Sequence, residues 1–586
     1  MVRNTRFHWR ACVAALAAVI CTAPVTAQTI YPIDRAEILA GSRFDLKIEF
    51  PSAPVAASVS VTINGKPAAE VLGAEPSIVE REDGGPNTAV WIRGASLNEP
   101  GAYVVEAQAP GVKSSATWTV YGTDGGGKAK NVILFIGDGL SVAHRTAARM
   151  LSKGLTQGRY NGKLAIDDMP HMALVSTSGM DSIVTDSANS ASAYATGHKT
   201  CVNALGVYCA QNRRNVDHPA VETLAEIVKR TSKRSVGIVT NTELTDATPA
   251  AFVAHTRSRN DQNDIAAMFL KSKPDVMLGG GSAYFTPKAH EHSKRTDETD
   301  IVEAFKSEGY PFVSSASELR AAAESADTRR LFGLFNRTNI DGALDRRVMK
   351  KGLVAKFPDQ PDLTDQVKAA LDVLKRNEDG FFLMVESGRI DKYSHALDWE
   401  RSVYDTIMLD NAVKLAKEFA APRDDTLIII VADHAHPVSI VGVYDDAAEG
   451  QLLRDKLMVY EKAGFPAYPA PDADGYPATV DVSRRLAFLF AAFPDHCDAG
   501  KPHKEGENTP AIVGPDGKTY LANEDHCQAT AARRPGNLPF TADKGVHAAD
   551  DVILTASGPG ADMFHGHIDN TYVFRVMATA LGLGNE

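Results

Sequence analysis

The run Val132-Ile133-Leu134-Phe135-Ile136 constrains this chain more than any other stretch. It is five consecutive apolar, strand-favouring residues with no polar alternation. Such a strand is buried on both faces, which is the habit of a parallel sheet covered by helices. It ends in Gly137-Asp138-Gly139, a sharp turn that leaves a carboxylate open. Gly380 to Glu386, Thr426 to Val431 and Ser235 to Thr240 read as further strands, and Val552 to Thr555 as a closing one. Helical patterns fall between and after them, at Ala220 to Lys233, Trp399 to Ala421 and Asn570 to Leu583. Strands alternating with helices predict an α/β domain with a mainly parallel central sheet flanked by helices. The residues able to do chemistry sit just after the strands, where such folds place their sites.

Two regions break this pattern. Residues 28–124 are β-rich: Phe44 to Phe50 and Ser58 to Ile63 alternate, Asn64-Gly65 is a hairpin signal, and Tyr103 to Glu106 and Thr117 to Tyr121 continue the theme. A small β-sandwich-like accessory module is expected, with no cluster of catalytic residue types. Asp124 to Lys128 reads as a linker, so the α/β domain takes residues 125–586. Within it, residues 441–545, rich in Pro, Gly and charge, read as an inserted cap-like segment.

With 586 residues, 44% hydrophobic and 23% charged, the composition is that of a soluble protein with more than one domain. The net charge of −11 argues against a nucleic-acid partner. Residues 1–27 carry Arg3, Arg6 and Arg10 before the apolar run Ala11 to Ile20, and end in Val25-Thr26-Ala27. That is the layout of a cleaved signal peptide, whose apolar run is short for a span. Its removal would take the charge from −11 to −14. A periplasmic or secreted protein without a stable membrane anchor is expected. Four cysteines remain after cleavage, and four allow three pairings. Local pairing, Cys201–Cys209 and Cys497–Cys527, is the expectation in an oxidising compartment. A thiolate zinc site is the alternative, but neither pair has C-x-x-C spacing.

Six pieces carry candidate chemistry. Thr185-Asp186-Ser187-Ala188 opens a small-residue helix that stops at Gly197, putting Ser187 in a first turn that favours anions. Alone, that stretch reads more readily as a capped Ser/Ala helix without chemistry, and the metal-ligand candidates elsewhere shift the balance. Asp138 stands at its strand end. Asp246-Ala247-Thr248-Pro249 offers a carboxylate and a hydroxyl suited to a hard cation, followed by Arg259, whose planar fork fits phosphate. A capped turn and a surface arginine would look the same. Glu386 to His395 places Asp391 and His395 four apart, on one face of a helical turn. They suit a shared zinc or a plain Asp–His hydrogen bond. Asp433-His434-Ala435-His436 closes an apolar strand with three ionisable groups. Asp433 and His434 are the ligand candidates, and His436 a group that orients one. His547 alone is a loop histidine.

Taken in order, Gly-Asp-Gly, Thr-Asp-Ser-Ala, Asp-Ala-Thr-Pro-Ala-Ala…Arg, Glu…Asp-Lys…His, Asp-His-Ala-His and a late His resemble the alkaline phosphatases of the bacterial periplasmic type. The resemblance runs from about Asn131 to Leu583. It implies two Zn²⁺ and one Mg²⁺. Asp391, His395 and His547 would hold the first zinc, and Asp138, Asp433 and His434 the second, beside Ser187. Asp138, Thr248 and Glu386 would hold the magnesium. Arg259 would clamp the phosphoryl group, with Asp186 orienting Arg259 and Lys392 reaching phosphate through water. The residues after His547 are Ala548-Ala549, where the family often has Thr-Gly. The implied activity is hydrolysis of small phosphate monoesters through a phosphoserine, with inorganic phosphate inhibiting as product; homodimers are common in the family. The competing readings are a diesterase or sulfatase on the same scaffold, or a binding protein that has lost catalysis. The Cys-x-Pro-x-Arg motif of sulfatases is absent from the sequence, and every matched ligand position is filled.

Overall fold

The computed structural model describes residues 29–50, 58–123, 127–350, 354, 356–504, 506–527 and 531–584. The proposed signal segment and part of the 124–128 linker lie outside the described residues. A ten-stranded sheet forms the centre of the α/β region. From one edge its strands are Phe312–Val313, Leu331–Leu334, Val276–Gly280, Ser235–Glu243, Phe381–Ser387, Asn131–Gly137, Thr426–Ala432, Val552–Ser557, His171–Ser176 and His567–Asp569. The first seven run parallel. Val552–Ser557 is antiparallel to both neighbours, so the closing strand reverses direction. Every residue of Asn131–Gly137, Phe381–Ser387 and Thr426–Ala432 is buried, as continuous apolar runs require.

Register puts the chemistry on one level. Gly137 pairs with Ser387 on one side and Ala432 on the other. Asp138 and Asp433 are the next residues of their strands, and Glu386 lies one step earlier, beside Thr240. Three carboxylates therefore meet at the carboxyl ends of adjacent strands, because parallel neighbours end together.

The helices cover the sheet as expected, with Trp399–Ala420 the longest near the centre. The helix expected from Ala220 starts at Leu224 instead. Thr223 caps it and Glu226 closes the capping box, while Ala220 to Glu222 are held in extended contacts elsewhere. The insertion contributes a three-stranded antiparallel sheet, Val438–Asp445 with Leu457–Met458 and Arg484–Phe490, and two short ladders. Both disulfides, Cys201–Cys209 and Cys497–Cys527, are present.

The N-terminal region forms two facing sheets. One contains Thr29–Tyr31, Phe44–Phe50, Thr88–Ala95 and Ser77–Val79; the other is centred on Gly101–Ala109 and Val112–Tyr121. Leu46, Ile48, Ile92, Val105 and Trp118 fill the space between them. The Phe44–Phe50 strand alternates in sequence, a pattern that usually leaves the polar face in water. All seven residues are buried instead.

Candidate metal and phosphate site

Ser187 is the first residue of the buried helix Ser187–Thr196. Asp186 caps that helix: its Oδ1 accepts from the Asn189 amide at 3.2 Å, while Asn189 Oδ1 accepts from the Asp186 amide at 2.9 Å. The cap fixes the Ser187 hydroxyl at the positive end of the helix. Its Oγ lies 3.3 Å from both oxygens of Asp138 and 3.2 Å from His434 Nε2.

Around that hydroxyl the candidate ligands gather in two groups. Asp138, Asp433 and His434 offer ligand atoms within 4.8 Å of one another. His434 Nε2 is 3.2 Å from Asp138 Oδ1 and 3.4 Å from Asp433 Oδ2. The second group centres on Asp391 Oδ1, which lies 3.3 Å from His395 Nε2 and 3.3 Å from His547 Nε2. His436 donates to the same oxygen at 2.8 Å, so it holds Asp391 in place. Gly139 makes room for this contact: its φ is +67°, and a Cβ there would come within 2.7 Å of His436 Cδ2.

Four features test whether cations fit here. First, His395 Nδ1 donates to the Gly545 carbonyl at 2.6 Å and His547 Nδ1 to the Thr185 carbonyl at 2.8 Å. Carbonyls only accept, so each Nδ1 carries a proton, and in a neutral ring Nε2 is then the atom with the lone pair. Those two Nε2 atoms face each other at 3.0 Å. An arrangement of this kind needs a proton or a cation between the rings. Second, Asp433 Oδ2 and Thr248 Oγ1 are buried with no hydrogen-bond partner among the described residues. Third, burial and the carboxylates of Asp391, Asp433 and Glu386 push Asp138 well above its ordinary range. Asp433 is pushed up to about 6, chiefly by burial, and Glu386 to about 7, by burial and Asp246. Fourth, the donors are imidazoles and carboxylates, the set that zinc and magnesium take. The residues present fit positive ions.

Glu386 is steered from the neighbouring strand. Thr240 and Thr242 both donate to its Oε2, Thr242 at 2.8 Å. These threonines carry no motif of their own, and only the parallel register brings them to Glu386. Thr248 stands in the short helix Ala247–Ala250, which packs against the Glu386 strand.

Beside these groups lies a set of paired charges. Arg259 donates to Asp186 Oδ2 at 3.1 Å and to Asp246 Oδ1 at 2.6 Å. Lys392 Nζ sits 2.7 Å from Asp246 Oδ2. The sequence suggested Asp246 as an oxygen donor for a hard cation. The structure corrects that: both of its oxygens face the cationic side chains Arg259 and Lys392. Burial alone would raise the Asp246 carboxyl, but those two cations hold it well below the usual range. The expected Asp186–Arg259 pairing is present. His565 and His567, two further late histidines, are exposed.

The alkaline phosphatase family model matches residues 129–583. The chain belongs to the alkaline phosphatase family. The alkaline phosphatase of Escherichia coli (strain K12) is 35% identical over 352 residues, which cover 53% of this chain and 71% of that protein. The tissue-nonspecific alkaline phosphatase of Gallus gallus is 31% identical over 493 residues, covering 78% of this chain and 85% of that protein. Among solved structures, alkaline phosphatase from Thermus thermophilus superposes with a TM-score of 0.56 at 26% identity, covering 78% of this chain and 92% of that one. These likenesses make the chain an alkaline phosphatase-type enzyme, from a metal-dependent family that acts on small phosphate monoesters. Among the described residues no helix is long and apolar enough to cross a membrane.

Proposed function

We propose that this chain hydrolyses phosphate monoesters through a phosphoserine at Ser187. The reading is carried by one observation: the Ser187 hydroxyl, at a helix N-terminus, lies within 3.3 Å of Asp138 and His434. Asp391, His395 and His547 would hold one zinc, Asp138, Asp433 and His434 a second, and Asp138, Thr248 and Glu386 a magnesium. When bound, such ions lower the pKa of an oxygen nucleophile and stabilise the attacking and leaving oxygens of an in-line displacement.

The chain's own residues account for the rest. The capped helix aims Ser187 Oγ and contributes N–H groups at its positive, anion-binding end. Oγ forms a bond to phosphorus as the ester P–O bond breaks; the serine proton is lost and the alcohol leaves protonated. A water then attacks the phosphoserine from the vacated side and releases inorganic phosphate. Arg259, held by Asp186 and Asp246, presents its fork to two phosphoryl oxygens. Lys392 adds positive charge one partner further out. Phosphate, meeting the same groups, inhibits as product. The two disulfides support an oxidising compartment, in line with export to the periplasm or medium.

The test compares kcat/KM for a phosphate monoester and a matched diester on zinc- and magnesium-loaded protein and on Ser187→Ala. An acid-quenched turnover mixture is searched for phosphorylated Ser187. A strong monoester preference lost in the variant, with label on Ser187, is the expected outcome. A diester preference would overturn the assignment of Arg259 and the magnesium residues.

A further inference from the structure

The buried polar face of the Phe44–Phe50 strand has an unusual neighbour. Lys47, fully buried, reaches Glu49 Oε1 at 2.6 Å, Glu82 Oε2 at 2.7 Å and Asn212 Oδ1 at 2.8 Å. Asn212 belongs to the α/β region. Asp45 accepts from the Ala220 amide at 3.1 Å through Oδ2, and its own amide donates to the Ala220 carbonyl at 2.8 Å. The Gln211 amide donates to Glu49 Oε1 at 2.7 Å, and the Arg213 amide to Asp83 Oδ2 at 2.9 Å. Phe44 and Val221 form an antiparallel bridge, and Tyr31 donates to the Cys209 carbonyl at 2.9 Å. Residues 209–222 are thus held along their length by the N-terminal sheets.

That same segment leads to the paired charges beside Ser187. Its first half is tied back by the Cys201–Cys209 disulfide. The Asn203 carbonyl accepts from the Arg259 amide at 2.8 Å, and the Asn203 amide donates to Asp186 Oδ1 at 3.1 Å. Leu205 and Thr256 exchange two backbone hydrogen bonds, and the Arg257 amide donates to the Asn215 carbonyl at 2.8 Å. Segment 201–222 therefore sets the backbone of Arg259 and one oxygen of Asp186, while the N-terminal sheets set segment 201–222. The family match begins at residue 129, so the N-terminal region lies outside it.

We propose that the N-terminal two-sheet module is a positioning element of the phosphate clamp, acting through segment 201–222 on Arg259 and Asp186. The proposal rests on the reading of Arg259 as the phosphoryl-binding arginine. The physical reason is geometric: a planar guanidinium binds two oxygens well only when its backbone and both carboxylate partners are fixed. Small displacements of a positioning group far from the chemistry are amplified at the reacting centre. The buried ion pairs of Lys47 with Glu49 and Glu82 at the junction favour one docking geometry over a sliding apolar contact.

The test uses Asp45→Asn and Asn212→Ala, each in the full metal-loaded chain and again in an Arg259→Ala background. Lys47→Met is a harsher third variant, and the first two keep the test open if it does not fold. The readouts are the inhibition constant for inorganic phosphate, KM and kcat for p-nitrophenyl phosphate, and Tm. The expected result is phosphate affinity weakened about tenfold in the native background. In Arg259→Ala the same substitutions change it by less than about twofold, because the group they position is gone. A fall in Tm with unchanged phosphate affinity, or equal effects in both backgrounds, overturns the proposal. If Arg259→Ala itself leaves phosphate affinity unchanged, the clamp reading falls and the proposal with it. If Arg259→Ala weakens binding and the junction variants do not, only the positioning role falls.

Discussion

Two charged regions meet at Ser187, and the chain completes only one of them. Around Asp246 the charges balance: Arg259 and Lys392 face the carboxylates of Asp246 and Asp186 at 2.6 to 3.1 Å. Burial would lower the Lys392 ammonium, yet Asp246 outweighs it and holds the group above its ordinary range. A few ångströms away, Asp138, Asp433 and Glu386 crowd together and are pushed upward, while two imidazole Nε2 atoms face each other. Two carboxylates and two cations make a preorganised patch that needs nothing more. Several carboxylates converging with imidazoles make a patch finished only by added positive charge, whether protons or metal ions. On the proposed reading, phosphate recognition is built into the fold, whereas activation of Ser187 depends on what the fold binds.

Removing metal should separate the two regions most sharply. Chelation is expected to reduce monoester turnover by at least about 10³-fold, since the ions would supply several kcal/mol of charge stabilisation. It should also lower Tm, because the crowded carboxylates lose their compensation. Zinc and magnesium added back should restore both. The contrast drawn here breaks if chelated protein keeps its full Tm by calorimetry.

The complementary test removes the anion from the balanced region. Asp246→Asn leaves Arg259 with one carboxylate and Lys392 with none of its own. KM and the inhibition constant for phosphate should rise about tenfold, the scale of one charge-assisted hydrogen bond. Zinc content should stay unchanged, because Asp246 faces side chains and not the zinc groups. Zinc loss in that variant, measured by elemental analysis, would mean that the two regions are not separable.

The difference between the regions also explains what the sequence could and could not reveal. Asp433 and His434 drew notice in the sequence because they stand at the end of a long apolar strand, where a polar group needs a reason to be; Asp138 ends such a strand too, but in a Gly-Asp-Gly turn that says little alone, and Glu386 entered as a ligand only through the resemblance. Asp391 and His395 were legible from their helical spacing. His547 was not: its loop carries no periodicity, and only the resemblance picked it out. Asp246 was grouped with Thr248 as suited to a cation, beside a capped-turn alternative, because a carboxylate two residues from a hydroxyl looks the same whether it faces a metal or an arginine. The fold decides that, by bringing Lys392 from the helix Arg389–His395. The edge strand Phe312–Val313 and its neighbour Leu331–Leu334 went unread because they are too short to show a period; Val552 to Thr555 was read as a strand, but its reversed direction was not, because direction leaves no mark in composition. The Phe44–Phe50 strand alternates as a half-exposed strand does, yet it is buried on both faces because its polar side docks on residues 209–222.

A smaller effect probes how the chain supports the unfinished region from behind. Thr240 and Thr242 direct Glu386 Oε2 by hydroxyl donation. Thr242→Val keeps the shape and removes one donor. Outer partners of metal ligands typically carry 10- to 100-fold in affinity, so magnesium activation should need about tenfold more ion. Zinc affinity should be unaffected. An unchanged magnesium titration would show that the strand register alone suffices to place Glu386.

The smallest effect concerns a third charge pair, complete like the Asp246 set but with a partner that titrates. His255 Nε2 lies 3.0 Å from Glu226 Oε2, and its Nδ1 donates to the Gly206 carbonyl at 2.9 Å. Burial alone would lower His255, but Glu226 outweighs it and lifts the ring to about 9. Burial likewise opposes Glu226, which His255 draws down to about 2. The contribution of His255 is therefore complete below its unfolded value of 6.5 and lost as pH rises through about 9. That of Glu226 is complete above its ordinary 4.5 and lost only as pH falls through about 2. Both side chains keep partial contact with water, at 22% and 29% exposure, so the pair is worth about 2 kcal/mol after discounting for screening. Urea unfolding at pH 7 and pH 10 on the native chain and on Glu226→Gln should show the native advantage shrinking by that amount across the alkaline range. Any difference that persists at pH 10 belongs to the capping box that Glu226 closes on Thr223. Parallel profiles for the two proteins would mean that His255 is neutral throughout, and that self-paired charge in this enzyme is confined to groups that do not titrate where an alkaline phosphatase works.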